Sequence, residues 1–310
     1  MTETKQEKSK NPLAEYFTGR KGKQRIFIIA ALAWPIIHFL VFWLWINFDA
    51  ILLAFQNPSR GEWTLDNFKW VFSMFTNPIP TFDLGMALKN TLILFCWNTF
   101  VEIPIAITLA YVFFKKLPGN KFFTIVLYLP CIISATVMVA VYKAFVGTEG
   151  PIAQLVSGWQ YPITNPDTSM TSMLVYNLWT GYGLSIILYR SAMNRIPTEI
   201  FEAAALEGIT MWQELTKIIL PLIWPTLSTM VLVAISGLFG ANGPILLFVG
   251  EFGATQAGLL TLSHAMFMQY KVVGRVEYAA AIGFCCTVVS VPLVFVSRWL
   301  MAKVGGEYEY

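Results

Sequence analysis

Six apolar runs, roughly 25–55, 88–114, 121–146, 171–194, 215–240 and 277–302, fix what this sequence can become. A bilayer core about 30 Å thick takes about 20 apolar residues to cross as an α-helix. Because hydrocarbon offers backbone N–H and C=O groups no partner, helices that bond internally are the expected solution. The composition agrees: 56% of residues are hydrophobic and 13% charged, against roughly 45–50% and about 25% in a soluble domain. The reading is an all-α polytopic membrane protein of six transmembrane helices. Residues 1–24, with Lys5, Glu7, Lys8 and Lys10, form an N-terminal tail too charged for a cleavable signal peptide, and 25–310 form the membrane domain. The first run is longer than a crossing needs, and Asn47 and Asp49 place its second end in water.

Basic residues give the direction. Lys21, Lys23 and Arg25 precede the first run, Lys115, Lys116 and Lys121 separate the second and third, and Arg190, Arg195 and Lys217 flank the fourth loop. Arg298 and Lys303 close the chain, while the intervening loops are poorer, holding Arg60, Lys69, Lys89, Lys271 and Arg275. The positive-inside rule then puts both termini and the fourth loop in the cytosol. A net charge of +3, spread over span ends, gives no surface for nucleic acid. Cys96, Cys131, Cys285 and Cys286 lie within apolar runs without metal spacing, and His38 and His264 are far apart, so no metal site is expected. Leu65-Asp66-Asn67-Phe68, in the first external segment, is expected on a small amphipathic helix. Pro35, Pro104, Pro130, Pro221, Pro225 and Pro292 fall inside runs, where they either kink helices for packing or line a moving or water-filled path.

One polar segment interrupts this pattern at 196–217. Thr198 is expected to cap a short helix with Glu199 and Glu202 in its first turn, where negative charge opposes the helix dipole. Gly208 supplies a left-handed residue that ends it. Thr210 with Gln213 three residues on is a capping box that starts a second helix. Two short helices hinged at a glycine between membrane spans form a docking surface.

Glu202-Ala203-Ala204, Gly208 after three further residues, and Ile218, Leu220 and Pro221 match the E-A-A, G, I-x-L-P pattern of permease subunits of binding-protein-dependent ABC importers. Ile196-Pro197, Glu207-Gly208, Trp212 and Pro225 around it resemble the carbohydrate-uptake branch, as do Ala87-Leu88-Lys89-Asn90-Thr91-Leu92, Tyr128-Leu129-Pro130, Trp179 with Gly181, Asn242-Gly243-Pro244 and Tyr278-Ala279-Ala280-Ala281. The stretch from Ile245 to Thr261 departs from the pattern by being more apolar. The resemblance implies a type I ABC importer permease fold in a prokaryotic plasma (inner) membrane. It assigns Glu202, Ala203, Ala204, Gly208, Leu220 and Pro221 to coupling with a separate ATPase, Glu202 as the charged contact and the alanines as the close approach. It further implies a second, non-identical permease, two ATPase subunits or domains, an external solute-binding protein and a carbohydrate substrate. No Gly-x-x-x-x-Gly-Lys-Ser/Thr segment is present, so no cofactor is assigned to this chain, ATP and magnesium belong to the partner ATPase, and the chain is a transport subunit and not itself an enzyme.

Sugars are held by aromatic faces and hydrogen-bonding groups in an apolar pocket. Tyr128, Trp179, Tyr182, Ser236, Phe239 and Asn242 are the candidates for the substrate path, with Ser134, Tyr176 and Asn177 beside them. Trp179 and Tyr182, three residues apart, share a helix face. Glu102 is the one acid deep within a run. Intramembrane charge is costly unless partnered, so it is either a polar contact to a neighbouring helix or to the partner permease, with Lys143 a candidate partner, or a proton or cation site of a secondary transporter. The family could instead carry amino acids, phosphate or peptides. A membrane enzyme is disfavoured by the lack of paired acids or a nucleophile constellation.

Overall fold

The computed structural model describes residues 20–57, 61–116, 118–240 and 244–305, so the tail up to Gly19, Arg60 and Asn242 lie outside the described residues. The chain forms two units, Met1–Leu53 and Ala54–Tyr310. In the first, the helix Arg20–His38 widens into a π-helical stretch, Phe39–Trp45, and continues as Ile46–Ala54, whose last residue opens the second unit. Asn47 and Asp49 are exposed on this helix, and the Asn47 amide also donates to the Trp43 carbonyl at 2.7 Å.

Among the described residues, three helical stretches are long and apolar enough to cross a membrane: Phe27–Ala54, Leu84–Phe114 and Val276–Gly305. The runs at 121–146 and 215–240 are bent pairs. Asn120–Ile132 meets Ala135–Leu155 at 109°, and Met211–Leu222 meets Trp224–Ser236 at 75°. The first break lies at Ile133 and Ser134, both in extended backbone (ψ 143°). The second is at Ile223 (ψ 6°), where Pro225 has no N–H to give to the Pro221 carbonyl. Two π-helical stretches, Asn98–Glu102 and Glu214–Ile219, each stand one or two residues before a proline, Pro104 and Pro221, whose missing N–H opens the α-helical ladder there.

The fourth run is the helix Pro166–Met193, whose 28 residues are long enough to cross a bilayer but too polar to meet the same apolar criterion. Its surroundings explain this. It packs most extensively against Ile103–Phe114, then against Asn120–Ile132, and also touches Trp224–Ser236, so Ser169, Ser172, Asn177 and Thr180 meet protein more than lipid.

Two buried apolar clusters organise the second unit. One joins Ile103, Ala106, Ala110 and Phe113 to Ile186, Tyr189 and Met193 and to Leu215, Ile219 and Ile223. The other gathers Ala54, Val71, Leu84 and Ala87 with Tyr142, Tyr176, Phe248, Leu260 and Ile282. The helix expected near Leu65–Phe68 is Asp66–Thr76, burying Asn67 and Val71. The unexpectedly apolar 245–261 stretch forms two short helices, Ile245–Val249 and Gly253–Gln256, and buries Ile245, Phe248, Leu259 and Leu260 in the second cluster.

Candidate docking and translocation sites

The polar segment folds largely as its local chemistry dictates. Gly208 adopts φ +68°, in the left-handed region, and ends the helix Thr198–Leu206. Both arms of the capping box form: Thr210 N–H donates to Gln213 Oε1 at 2.9 Å, and Gln213 N–H donates to Thr210 Oγ1 at 3.3 Å. The start differs from expectation. Pro197 occupies the cap position and Thr198 is the first helical residue, with no side-chain cap bond, because Pro197 already holds the extended φ and ψ that enter the helix.

This helix is anchored on one side and bare on the other. Ala204 is buried, and the Phe201 ring lies 5.3 Å from that of Phe114, at the end of the Ile103–Phe114 helix. Glu202, Ala203 and Glu207 are exposed, as are Leu206 (91%), Trp212 (69%) and Met211. Leu220 and Pro221 are half-buried in the first turn after the Glu214–Ile219 π stretch, one residue short of the break. Sequence reasoning missed a further tie. Lys115 Nζ donates to Glu214 Oε2 at 2.8 Å and lies 2.6 Å from Oε1, across a separation of 99 residues that leaves no local signal.

The acid singled out in the second run has a local partner. Glu102 is buried, and its Oε2 accepts from Asn98 Nδ2 at 2.6 Å, one turn earlier in the same π stretch. Lys143 is not its partner: that ammonium donates to the Leu247 carbonyl at 2.8 Å. The carboxylate fits because residue 181 is glycine, where a Cβ would stand 2.9 Å from Glu102 Oε2. Around it lies a cavity of about 240 Å³ lined by Thr91, Asn98, Glu102, Asn177, Thr180 and Gly237, among others. A second cavity of about 430 Å³, between Pro130, Cys131, Met138, Tyr176, Pro244 and Leu247, shares Asn177 and Thr180 with the first. One face of the central helix thus lines both, each bounded by one of the bent pairs.

Of the path candidates, Tyr176 lines the second cavity and joins Tyr142, Phe248 and Trp179 in a group of rings with centroids 5.0–6.3 Å apart. Tyr142 and Phe248 were not singled out from sequence, where an aromatic in a span looks like any packing residue. Trp179 reaches this group, whereas Tyr182, like Tyr128, packs against the other cluster, so their shared helix face does not bring Trp179 and Tyr182 to one neighbour. Ser236 turns its hydroxyl back to the Val233 carbonyl at 2.9 Å, and Phe239 is buried among the residues around Leu84 and Ile282. Among the described residues no cluster of His, Cys, Asp or Glu could hold a metal ion.

Residues 102–305 match the family of the binding-protein-dependent transport system inner membrane component. The chain belongs to that family and is a membrane transport component, not an enzyme. Among its relatives are the arabinooligosaccharides transport system permease protein AraP of Bacillus subtilis (strain 168), 25% identical over 292 residues, covering 88% of this chain and 87% of that one. Another is the lactose transport system permease protein LacF of Rhizobium radiobacter, 23% identical over 224 residues, covering 67% and 73%. The fold is that of a chain in the crystal structure of a bacterial alginate ABC transporter in complex with alginate pentasaccharide-bound periplasmic protein, with a TM-score of 0.79 over 91% of this chain and 96% of that one at 23% identity.

Proposed function

We propose that this chain is the permease of an ATP-driven importer of a sugar or oligosaccharide, crossing the membrane six times. Two relatives carry arabinooligosaccharides and lactose in their names. The six crossings would be the three long apolar helices, the two bent pairs and the polar central helix. Basic residues favour cytosolic termini and a cytosolic 196–217 segment.

The observation that carries the coupling role is the two-sided helix Thr198–Leu206. Its buried side, Phe201 and Ala204, is fastened to the membrane core, while Glu202, Leu206, Met211 and Trp212 stand bare where a partner of matching cleft would seat. Exposed large apolar groups grouped beside acids are what an interaction surface leaves uncovered in an isolated chain. The partner is a separate ATPase, binding ATP and magnesium, which presses on Glu202 through Gly208 and moves the helices beyond Pro221. A second, non-identical permease and an external binding protein complete the assembly, the latter in the place that the periplasmic protein takes in the alginate transporter complex. Substrate passes the face of the central helix at Asn177 and Thr180, where polar groups border two cavities beside the Tyr142–Tyr176–Phe248 rings. Pocket walls of this kind, mainly apolar with a few placed hydrogen-bonding groups, suit a polyhydroxylated ring.

Uptake of labelled neutral oligosaccharides, amino acids and peptides into vesicles holding the full complex separates sugar from other cargo. ATP-dependent uptake of an oligosaccharide is expected, and uptake driven by a proton gradient without ATPase would sink the reading in favour of an ion-coupled carrier using Glu102. Glu202→Lys and Gly208→Pro should abolish uptake and release the ATPase while the chain still inserts.

A further inference from the structure

The Lys115–Glu214 pair stands apart from the other ion pairs among the described residues. Lys69–Asp66 is a local pair on exposed helix, and Arg275–Glu277 joins near neighbours at 3.3 Å. Lys115 and Glu214 are instead remote in sequence, close at 2.6 Å, and partly sealed, with side chains 29% and 11% exposed. Rings complete the enclosure: the ammonium lies 5.7 Å from the centroids of both Tyr111 and Phe201.

The position of each partner gives the contact its meaning. Lys115 directly follows the Ile103–Phe114 helix, which packs along the central helix whose other face borders both cavities. Glu214 begins the π stretch that links the capping-box turn to Leu220 and Pro221. Phe201, on the exposed helix, touches Phe114 and lies over the same ammonium. One lysine therefore gathers both halves of the hinged segment onto the end of a membrane helix that leads to the cavities.

We infer that Lys115 and Glu214 are positioning residues which make the 198–222 segment and the Ile103–Phe114 helix move as one body, so that a push on the segment reaches Asn177 and Thr180 and is not absorbed at Gly208. Gly208 has open space around its Cα and the wide φ/ψ freedom of glycine, so without a second fastening the exposed helix would yield on its own hinge. An ion pair suits this task better than apolar contact alone, because sliding the surfaces apart leaves a partly buried charge unpaired, which is strongly unfavourable.

The inference rests on the coupling reading above, and its test keeps the two separable. The full complex is reconstituted in vesicles with Thr180→Cys as a reporter, the four native cysteines replaced, and the maleimide labelling rate is measured without nucleotide and with ATP and vanadate. The reporter needs no knowledge of the transported solute. In the parent complex nucleotide should change the rate severalfold. Lys115→Met and Glu214→Gln should each remove that response while the ATPase still co-purifies and hydrolyses ATP. Lys115→Arg and the swap Lys115→Glu with Glu214→Lys should restore it. The inference falls if the single variants keep the response, if they lose the ATPase, if they fail to accumulate in the membrane, or if the accumulated swap stays silent. Retention of the ATPase by Glu202→Lys would instead refute the docking reading, whatever the pair does.

Discussion

The cluster around Tyr189 and the cluster around Tyr142 are held together by different chemistry. Around Tyr189, three stretches, 103–113, 186–193 and 215–223, meet through apolar side chains, and one ion pair, Lys115–Glu214, crosses between them. Around Tyr142, irregular backbone is pinned by side-chain amides and hydroxyls. Asn67 Nδ2 donates to the Ala54 and Gln56 carbonyls, Asn90 Nδ2 to those of Gly258 and Leu260, and Trp159 Nε1 to that of Val146, at 2.8–3.0 Å. Thr91 Oγ1 accepts from the Leu262 N–H, and the Ser169 hydroxyl donates to the Ala257 carbonyl. Irregular backbone in a membrane protein is tolerated where protein satisfies its polar groups, and a cluster so fastened cannot slide without exposing them. Smooth apolar helix contacts carry no such restraint. On the coupling proposed above, the Tyr142 end would serve as a fixed cap and the Tyr189 end, tied by Lys115–Glu214, as the part that an ATPase shifts.

The contrast is broken most severely at Asn90. Asn90→Leu strands the buried Leu260 carbonyl and the part-buried Gly258 carbonyl, a loss of about 2–4 kcal/mol, and should lower the unfolding temperature of the purified chain and its membrane yield. Replacing both members of the ion pair, Lys115→Met with Glu214→Gln, removes the charge together with its partner and should leave both nearly unchanged while abolishing the nucleotide response. Equal stability losses at the two sites would erase the distinction.

Gly181 lies at the seam, where the carboxylate of Glu102 uses the space a Cβ would fill. Gly181→Ala forces that group aside, and overpacking of this kind costs about 1–3 kcal/mol. Combining it with Glu102→Ala should recover much of the loss, which a double-mutant cycle in thermal unfolding would read as coupling. Additive losses would place the two residues out of contact.

The smallest effect belongs to His264, fully buried within the fixed cap. Burial holds its imidazole below the ordinary value of 6.5, while a bond from Nε2 to the Glu251 carbonyl at 3.3 Å opposes the shift. Since the folded state resists the proton, its contribution is complete above 6.5 and is lost as pH falls through the lowered value. The unfolding temperature should therefore drop as pH falls from 6.5 towards the lowered value and level off beneath it, and His264→Gln should flatten that slope. An unchanged slope would remove His264 as its source.

Sequence chemistry revealed what is local. The left-handed Gly208 and the Thr210–Gln213 box follow from residues within a few positions of each other, and the apolar runs follow from composition. Pro130, Pro221 and Pro225 marked where helices would yield, but not that two runs bend by 109° and 75°, which is set by what each half packs against. The central helix was read as a span like the others, yet its polar residues reflect surroundings assembled from distant stretches. Partners are the least legible property: Glu102 found Asn98 one turn away and not Lys143, and Glu214 found Lys115 on another helix. Spacing along one helix cannot reveal which residue of a second helix arrives opposite.

The central claim is that the bare side of Thr198–Leu206 is where a cytosolic ATPase seats, and Leu206, 91% exposed, reports on it directly. With Leu206→Cys as the sole cysteine, a membrane-impermeant maleimide is applied to right-side-out and inside-out vesicles with and without the ATPase. The account predicts labelling from the cytosolic side alone, suppressed when the ATPase is bound. Labelling from outside, or cytosolic labelling that the bound ATPase leaves unchanged, would contradict it.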